Sequence, residues 1–340
     1  MPEKSQKLHI QDIVDWLGQF EGREISIRDI MKGLDIGPKQ EGTLRVQLHR
    51  LTQRKDRVIK PSGLKDGWYK VLKRVQPVRW QDADENSFYP LALPMSHVDG
   101  SEFEALRLVT LSPGDLMLIG GKGNSGKSAI ALNILAENMD EHPCVLMGNE
   151  YTSLNNTPQP KFKRRMLNMN WASFTNGVGE SKFTLLPVKE DFEEYVVAGA
   201  LNVIDWINLT DKFWEISRIM EGIKGKLGDG FGVIVLQKGD KDKPRGGDFA
   251  DDFADVALTI DTFGRFESRL TVGKVKDSRG PVTGKTWAFG IVDNGANLTH
   301  IREVRKCFSC WGRGYKAGGE CKDCYGYGYV NVKEVHDETG

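Results

Sequence analysis

The run Gly121-Lys122-Gly123-Asn124-Ser125-Gly126-Lys127-Ser128 constrains this chain more than any other feature. It fills every fixed position of the pattern G-x-x-x-x-G-K-[ST]. The apolar run Asp115–Ile119 precedes it, and the helix-forming run SAIALNILAEN follows. A strand that enters a glycine loop and leaves as a helix can turn successive backbone N–H groups toward one anion, and the helix N-terminus adds partial positive charge. Residues 121–128, with Ala129 behind them, are therefore candidate phosphate-binding residues. Lys127 is expected to reach the β- and γ-phosphates, and Ser128 to bind Mg²⁺.

Such a loop needs a sheet behind it. Strand-like runs fall at 115–119, 144–148, 183–186, 201–205, 231–236, 256–261, 269–275 and 286–292, and helical stretches at 126–139 and 211–227. Continuous apolar strands alternating with helices predict an α/β fold with a mostly parallel sheet covered on both faces. Two carboxylates stand at strand ends: Glu150 after CVLMGN and Asp205 closing LNVID. Asp205 fits the acid that holds the Mg²⁺ shell, with Asp211 as a rival read as the start of the next helix. Glu150 fits the base that polarises an attacking water.

The order of glycine-loop helix, strand ending GNE, strand VIDWINL and strand VIVLQKG resembles the RecA/DnaB-like ATPases, a group that includes replicative helicases, RadA and KaiC-like proteins. The resemblance covers roughly residues 90–300. It implies a RecA-like core that uses ATP and Mg²⁺, with Glu150 as the catalytic glutamate and Gln237 as a polar sensor of the γ-phosphate. The segment from Lys238, with Lys241, Lys243 and Arg245, resembles the mobile loop of the same cores, which implies contact with single-stranded DNA; a solvated loop would look the same. The segment GKVKDSRGPVTGKTWAF resembles a hairpin of the same cores, in which a lysine and an arginine reach the neighbouring subunit's γ-phosphate. Lys276 matches the lysine. The arginine position holds Ser278 here, and the next residue, Arg279, is the choice for the finger, with Lys274 behind it. A finger supplied in trans requires a homo-oligomer, a hexamer or a filament.

Charge is partitioned along the chain. The 47 Lys+Arg balance 47 Asp+Glu over 340 residues. Residues 1–75 nevertheless hold 16 basic and 10 acidic residues, a net of +6, and residues 76–302 hold 25 and 31, a net of −6. The basic head reads as three helices and a hairpin. Leu8, Ile10, Ile13, Val14, Leu17 and Phe20 take helical spacing. Ser26 is a candidate N-cap for the second helix. Leu44, Leu48 and Leu51 face inward on the third, with Arg45, His49, Arg50 and Arg54 outward. RVIKP and GWYKVL follow as a β-hairpin. This layout resembles winged-helix domains, which implies double-stranded DNA binding by the third helix; a protein-docking winged helix is the alternative. Residues 76–95, with Pro77, Pro90 and Pro94, read as a linker and 96–302 as the ATPase domain. An unusual stretch, 151–182, carries Lys161, Lys163, Arg164 and Arg165 beside Trp171 and Phe174. That combination suits single-stranded nucleic acid and equally a solvated helix.

Four of the five cysteines lie in two Cys-x-x-Cys pairs, Cys307/Cys310 and Cys321/Cys324. Four thiolates at that spacing can enclose Zn²⁺ tetrahedrally in a closed structural site, with a redox dithiol or an iron–sulfur cluster as alternatives. Each pair continues as x-Gly-x-Gly, and the unit resembles half of the cysteine-rich region of DnaJ-type chaperones. Residues 303–335 are read as a zinc knuckle and 336–340 as a tail. Cys144 lies in an apolar strand and is expected in the core. No apolar run reaches the roughly 18–20 residues of a membrane helix, and the start MPEKSQKLHI has no signal-like apolar segment, so a cytoplasmic location is expected. The combined expectation is an oligomeric, Mg²⁺-dependent ATPase that binds DNA in replication or recombination, such as a helicase of a phage or mobile element. The alternative is an ATP-controlled DNA-binding switch or loader.

Overall fold

The computed structural model describes residues 8–63, 65–74, 76–148, 150–153, 157–207, 215–237 and 252–332. It divides into two compact units, Met1–Asp84 and Glu85–Gly340. In the first, α1 (Ile10–Leu17), α2 (Ile27–Gly33) and α3 (Glu41–Gln53) enclose Ile13, Leu17, Ile30, Leu44, Leu48 and Leu51. Ser26 starts α2 as a reciprocal cap: its hydroxyl accepts from Asp29 N–H at 3.2 Å, and the Asp29 carboxylate accepts from Ser26 N–H at 2.9 Å. Strands β1 (Glu24–Ser26), β2 (Ile59–Pro61) and β3 (Trp68–Val71) form an antiparallel sheet in the order β1-β3-β2. Arg45, His49, Arg50 and Arg54 are exposed, as their helical spacing from the buried leucines requires.

The second unit is built on a ten-stranded sheet. Its strands are β4 (Leu116–Gly121), β5 (Cys144–Met147), β6 (Phe183–Leu186), β7 (Leu201–Ile207), β8 (Phe231–Gln237), β9 (Val256–Phe263), β10 (Glu267–Val275), β11 (Thr286–Val292), β12 (Asn297–Lys306) and β15 (Tyr329–Asn331), with β13 (Tyr315–Lys316) and β14 (Gly319–Glu320) paired separately. The order is β15-β12-β11-β10-β9-β4-β8-β7-β5-β6. All pairings from β6 to β9 are parallel, and those beyond β9 are antiparallel. The expected mostly parallel α/β sheet is therefore present, with an antiparallel wing. Buried parallel strands alternate between two cores. Met117 and Ile119 join the side of α4 (Lys127–Asn138) and α5 (Pro160–Asn168), whereas Leu116 and Leu118 join the side of α6 (Glu215–Lys224).

Two segments differ from the sequence reading. The second half of the expected 76–95 linker is a strap on this unit: Tyr89 is buried and stacks on Phe231 at 5.2 Å, and Ala92 exchanges two 2.8 Å hydrogen bonds with the Asn138 amide. The expected division at 302/303 falls inside β12, whose polar sequence NLTHIREVRK hides a strand pinned by its neighbours. The cysteine segment thus grows from the sheet edge, since β15 returns to pair with Val304–Lys306. Asp211, the Lys238–Arg245 loop and the tail lie outside the described residues. Among the described residues, no helix is long and apolar enough to cross a membrane.

Asp255 fastens the lower end of the sheet. It is buried, accepts from Leu116 N–H at 2.9 Å and from Lys276 Nζ at 2.7 Å, and forms a further ion pair with Lys224. Burial raises its pKa, but the Lys224 and Lys276 hydrogen bonds outweigh this and leave it lowered. A lowered folded-state pKa gives stability that is present above the unfolded value of about 3.9 and is lost as pH falls through the folded one. Asp255→Ala should cost about 2 kcal/mol at neutral pH, less than for a fully buried pair because both lysines are partly exposed. Urea unfolding at pH 7 and pH ~3 checks this: the difference between the two chains should be full at pH 7 and smaller at acid pH.

Candidate functional site

The C-terminal end of β4 delivers the glycine loop to the top of the sheet. Two glycines are sterically required there. A Cβ on Gly121 would collide with the Ile260 carbonyl oxygen of the neighbouring strand. Gly126 has φ +96°, and its Cβ would run into Ile291. Inside the loop, the buried Ser125 hydroxyl donates to Lys122 O at 2.9 Å, and Lys127 Nζ donates to the same carbonyl at 2.6 Å. Burial lowers the Lys127 pKa, while Asp205 and Glu150 push it back up.

The parallel register carries the expected acids to the same edge. Asp205, near the end of β7, is 2% exposed. Its Oδ2 accepts from the Tyr151 hydroxyl, the Ser128 hydroxyl lies beside it, and Oδ1 is buried with no partner among the described residues. Burial raises its pKa, with the Tyr151 and Ser128 hydroxyls opposing the shift. Next to it, a Cβ on Gly148 would collide with the Asp205 carbonyl oxygen, so the end of β5 needs glycine to pass. Glu150 is exposed at the cleft, held by a 2.9 Å hydrogen bond from Trp206 Nε1. Gln237 ends β8 opposite Gly121, and its Nε2 lies 3.9 Å from where a Gly123 Cβ would be.

Together, Gly123, Asn124, Gly126, Lys127, Ser128, Ala129, Glu150, Asp205 and Gln237 line one cleft of about 630 Å³. Donors of a loop, a hidden carboxylate with an unpartnered oxygen, an adjacent hydroxyl and an exposed carboxylate suit a nucleotide polyphosphate with Mg²⁺. Two expected residues lie elsewhere in the chain. Lys276 is bound to Asp255, and Arg279 donates to Arg107 O at 2.9 Å beside the strap. Arg279 lines a separate cleft with Tyr89, Leu93 and Phe103. Sequence alone did not point to Trp206 and Arg265 in the cleft, to Tyr151 buried behind it on Asp205, or to Lys161 and Arg165 there, which were weighed for nucleic acid. Tyr151 and Trp206 directly follow the two acids, and Lys161 and Arg165 share the i, i+4 spacing of one helix face; those were the available signals.

The four cysteines form a second centre. All are buried, and their sulfurs lie within 4.8 Å of one another. The Cys307–Cys321 and Cys310–Cys324 sulfurs are 3.9 and 3.7 Å apart. A tetrahedron of about 2.3 Å Zn–S bonds has edges of about 3.8 Å, so the donor set fits zinc. The repeated glycines allow two strands of backbone to cross. A Cβ on Gly314 would collide with Gly326 O, and one on Gly328 with Gly312 O, and all four have positive φ. The centre also touches the cleft wall: Tyr327 packs on Phe263 at 5.5 Å and occupies the space a Gly264 Cβ would need. Arg302 of β12 grips both carboxylate oxygens of Glu267, which lines the cleft.

Two outcomes follow for the thiols. The protein should carry about one zinc per chain by metal analysis, and Cys310→Ser should lose it. A thiol reagent should find four additional reactive thiols after chelation, while Cys144, buried and with its thiol pushed up to about 12, stays slow.

No family model matches the chain, and no curated protein matches it. Solved structures do align. A KaiC-like protein from the hyperthermophilic archaeon Pyrococcus horikoshii aligns with TM-score 0.46 and 17% identity, over 62% of this chain and 99% of that one. The RadB recombinase aligns with TM-score 0.39 and 16% identity, over 54% of this chain and 90% of that one. These are similarities over part of the chain, and the fold assignment rests on the strand order and the loop. By that order, with a glycine loop leaving the central strand β4 and acids at neighbouring strand ends, the second unit is a RecA-like α/β fold.

Proposed function

We propose that this chain is an Mg²⁺-dependent ATP hydrolase that works as an oligomeric DNA-binding motor in replication or recombination. The observation that carries the reading is the meeting of Lys127, Ser128, Glu150, Asp205 and Gln237 in one cleft at the strand ends. The loop N–H groups and Lys127 bind the phosphate chain. Ser128 and Asp205 would hold Mg²⁺, which when bound supplies charge neutralisation at the phosphate oxygens. Glu150, oriented by Trp206, accepts a proton from the attacking water, and Gln237 contacts the terminal phosphate. Lys276 and Arg279 lie outside their own protomer's cleft, so any role for them in hydrolysis is in trans. Lys276 would have to leave Asp255 to take it.

DNA contact is assigned to two places. Residues 1–75 are read as a winged helix that places α3, with its exposed arginines and net charge of +6, on double-stranded DNA. Single-stranded DNA is assigned to the core. Residues 303–335 are read as a structural zinc knuckle.

Steady-state ATP hydrolysis with and without DNA tests the reading. DNA should stimulate the wild type. Lys127→Ala and Glu150→Gln should each lower the rate about 10²–10³-fold, with Glu150→Gln keeping nucleotide affinity. A rate indifferent to both single- and double-stranded DNA, in a chain that stays monomeric with ATP, would instead favour an ATP-controlled switch or loader.

A further inference from the structure

Helix α5 sends two cations into the phosphate cleft of its own chain. Lys161 and Arg165 sit one turn apart and both line it. The adjacent face of α5 is anchored by Phe162 and Met166, which are buried in the core. Its C-terminal end is fastened to the turn after β11: Arg165 Nε donates to Asn294 O, Asn168 Nδ2 to Asp293 O and Asn297 Nδ2 to Asn168 O, all at 3.0–3.1 Å. That turn runs along α4, the helix opened by the glycine loop, where Asn133 Nδ2 donates to Ala296 O at 3.0 Å. The Arg165 side chain therefore has a fixed base, and Nε is the nitrogen spent on it. Among the described residues, neither Lys161 nor Arg165 has an ion-pair partner.

The cleft holds Lys127, Lys161, Arg165 and Arg265 against Glu150, Asp205 and Glu267, and Glu267 is already gripped by Arg302. Unpaired cations concentrated around a phosphate loop favour a polyanion.

We propose that Lys161 and Arg165 bind the nucleotide phosphate chain in cis, so that each protomer supplies part of the positive charge otherwise expected from a neighbouring subunit. The inference rests on the ATP reading above and deepens it. It also divides the basic segment 161–165. Lys161 and Arg165 serve the nucleotide, and the exposed Lys163 and Arg164 do not line the cleft.

The test uses the full chain with Lys161→Gln, Arg165→Ala and Arg165→Lys, and with Lys189→Ala as an exposed control on the same unit. Affinity for a fluorescent ATP analogue, single-turnover hydrolysis without DNA, and single-stranded DNA affinity are measured for each. Lys161→Gln and Arg165→Ala should weaken analogue binding or slow the single turnover by about tenfold or more, the size of one lost charge-assisted hydrogen bond. The loss should be larger for ATP than for AMP, Arg165→Lys should recover part of it, and Lys189→Ala should match the wild type. Lys161 is exposed, so its replacement reports even where Arg165→Ala disturbs folding. Wild-type nucleotide binding and turnover in both variants, or a loss confined to DNA affinity, overturns the α5 assignment alone. A wild type that binds no nucleotide, or binds it equally well as Lys127→Ala, overturns the ATP reading and the α5 assignment with it.

Discussion

Strand β4 is paired in parallel on both sides, with β8 and with β9, and the rest of the site depends on that constraint. Parallel neighbours put their C-terminal ends at one edge, so residues far apart in sequence converge there without any local preference for each other. Gly121 meets Gln237 by register, and β7 and β5 continue the row to Asp205 and Glu150. The price is close backbone approach. Gly121 against Ile260 and Gly148 against Asp205 are places where a methyl group would force strands apart. The cleft is thus a consequence of register, and its glycines are the condition for the register.

The antiparallel wing plays a different part. Beyond β9, β10 alternates buried and half-buried residues, and Glu267 and Ser268 of β10 with Ile291 of β11 line the walls of the cleft rather than its floor. The turn 264–266 between β9 and β10 lies between the glycine loop on one side and Tyr327 of the cysteine segment on the other. A metal held by the four cysteines would order β15 and Tyr327, and so the packing behind that turn, which would give the cysteine centre a structural role inside the second unit.

Much of this was legible in the sequence because it is local. The glycine loop, eight of the ten sheet strands, the Ser26 cap and the cysteine pairs each depend on residues a few positions apart. What was hidden is relational. Alternation gives no strand direction, so the antiparallel wing did not show. The strand β12 is polar, being held by β11 and β15 rather than by its own apolar content. The strap at Tyr89 looked like a proline-rich linker because its stacking partners, Phe231 and His142, lie over 50 residues away. Lys276 matched the lysine of the resembled hairpin, and its side chain is held in this chain by Asp255, whose burial no motif encodes. Lys161 and Arg165 read as a surface because the contacts that aim α5 run to residues 293–297.

The central claim is that Asp205 and the glycine loop form one Mg²⁺–nucleotide site. Calorimetric titration of ADP with and without Mg²⁺, into the wild type and into Asp205→Asn, tests it most directly. The account predicts one site per chain in the wild type, with affinity raised at least tenfold by Mg²⁺, and loss of that metal dependence in Asp205→Asn while metal-free binding persists. Binding that ignores Mg²⁺ in the wild type, or an unchanged metal dependence in Asp205→Asn, would contradict it.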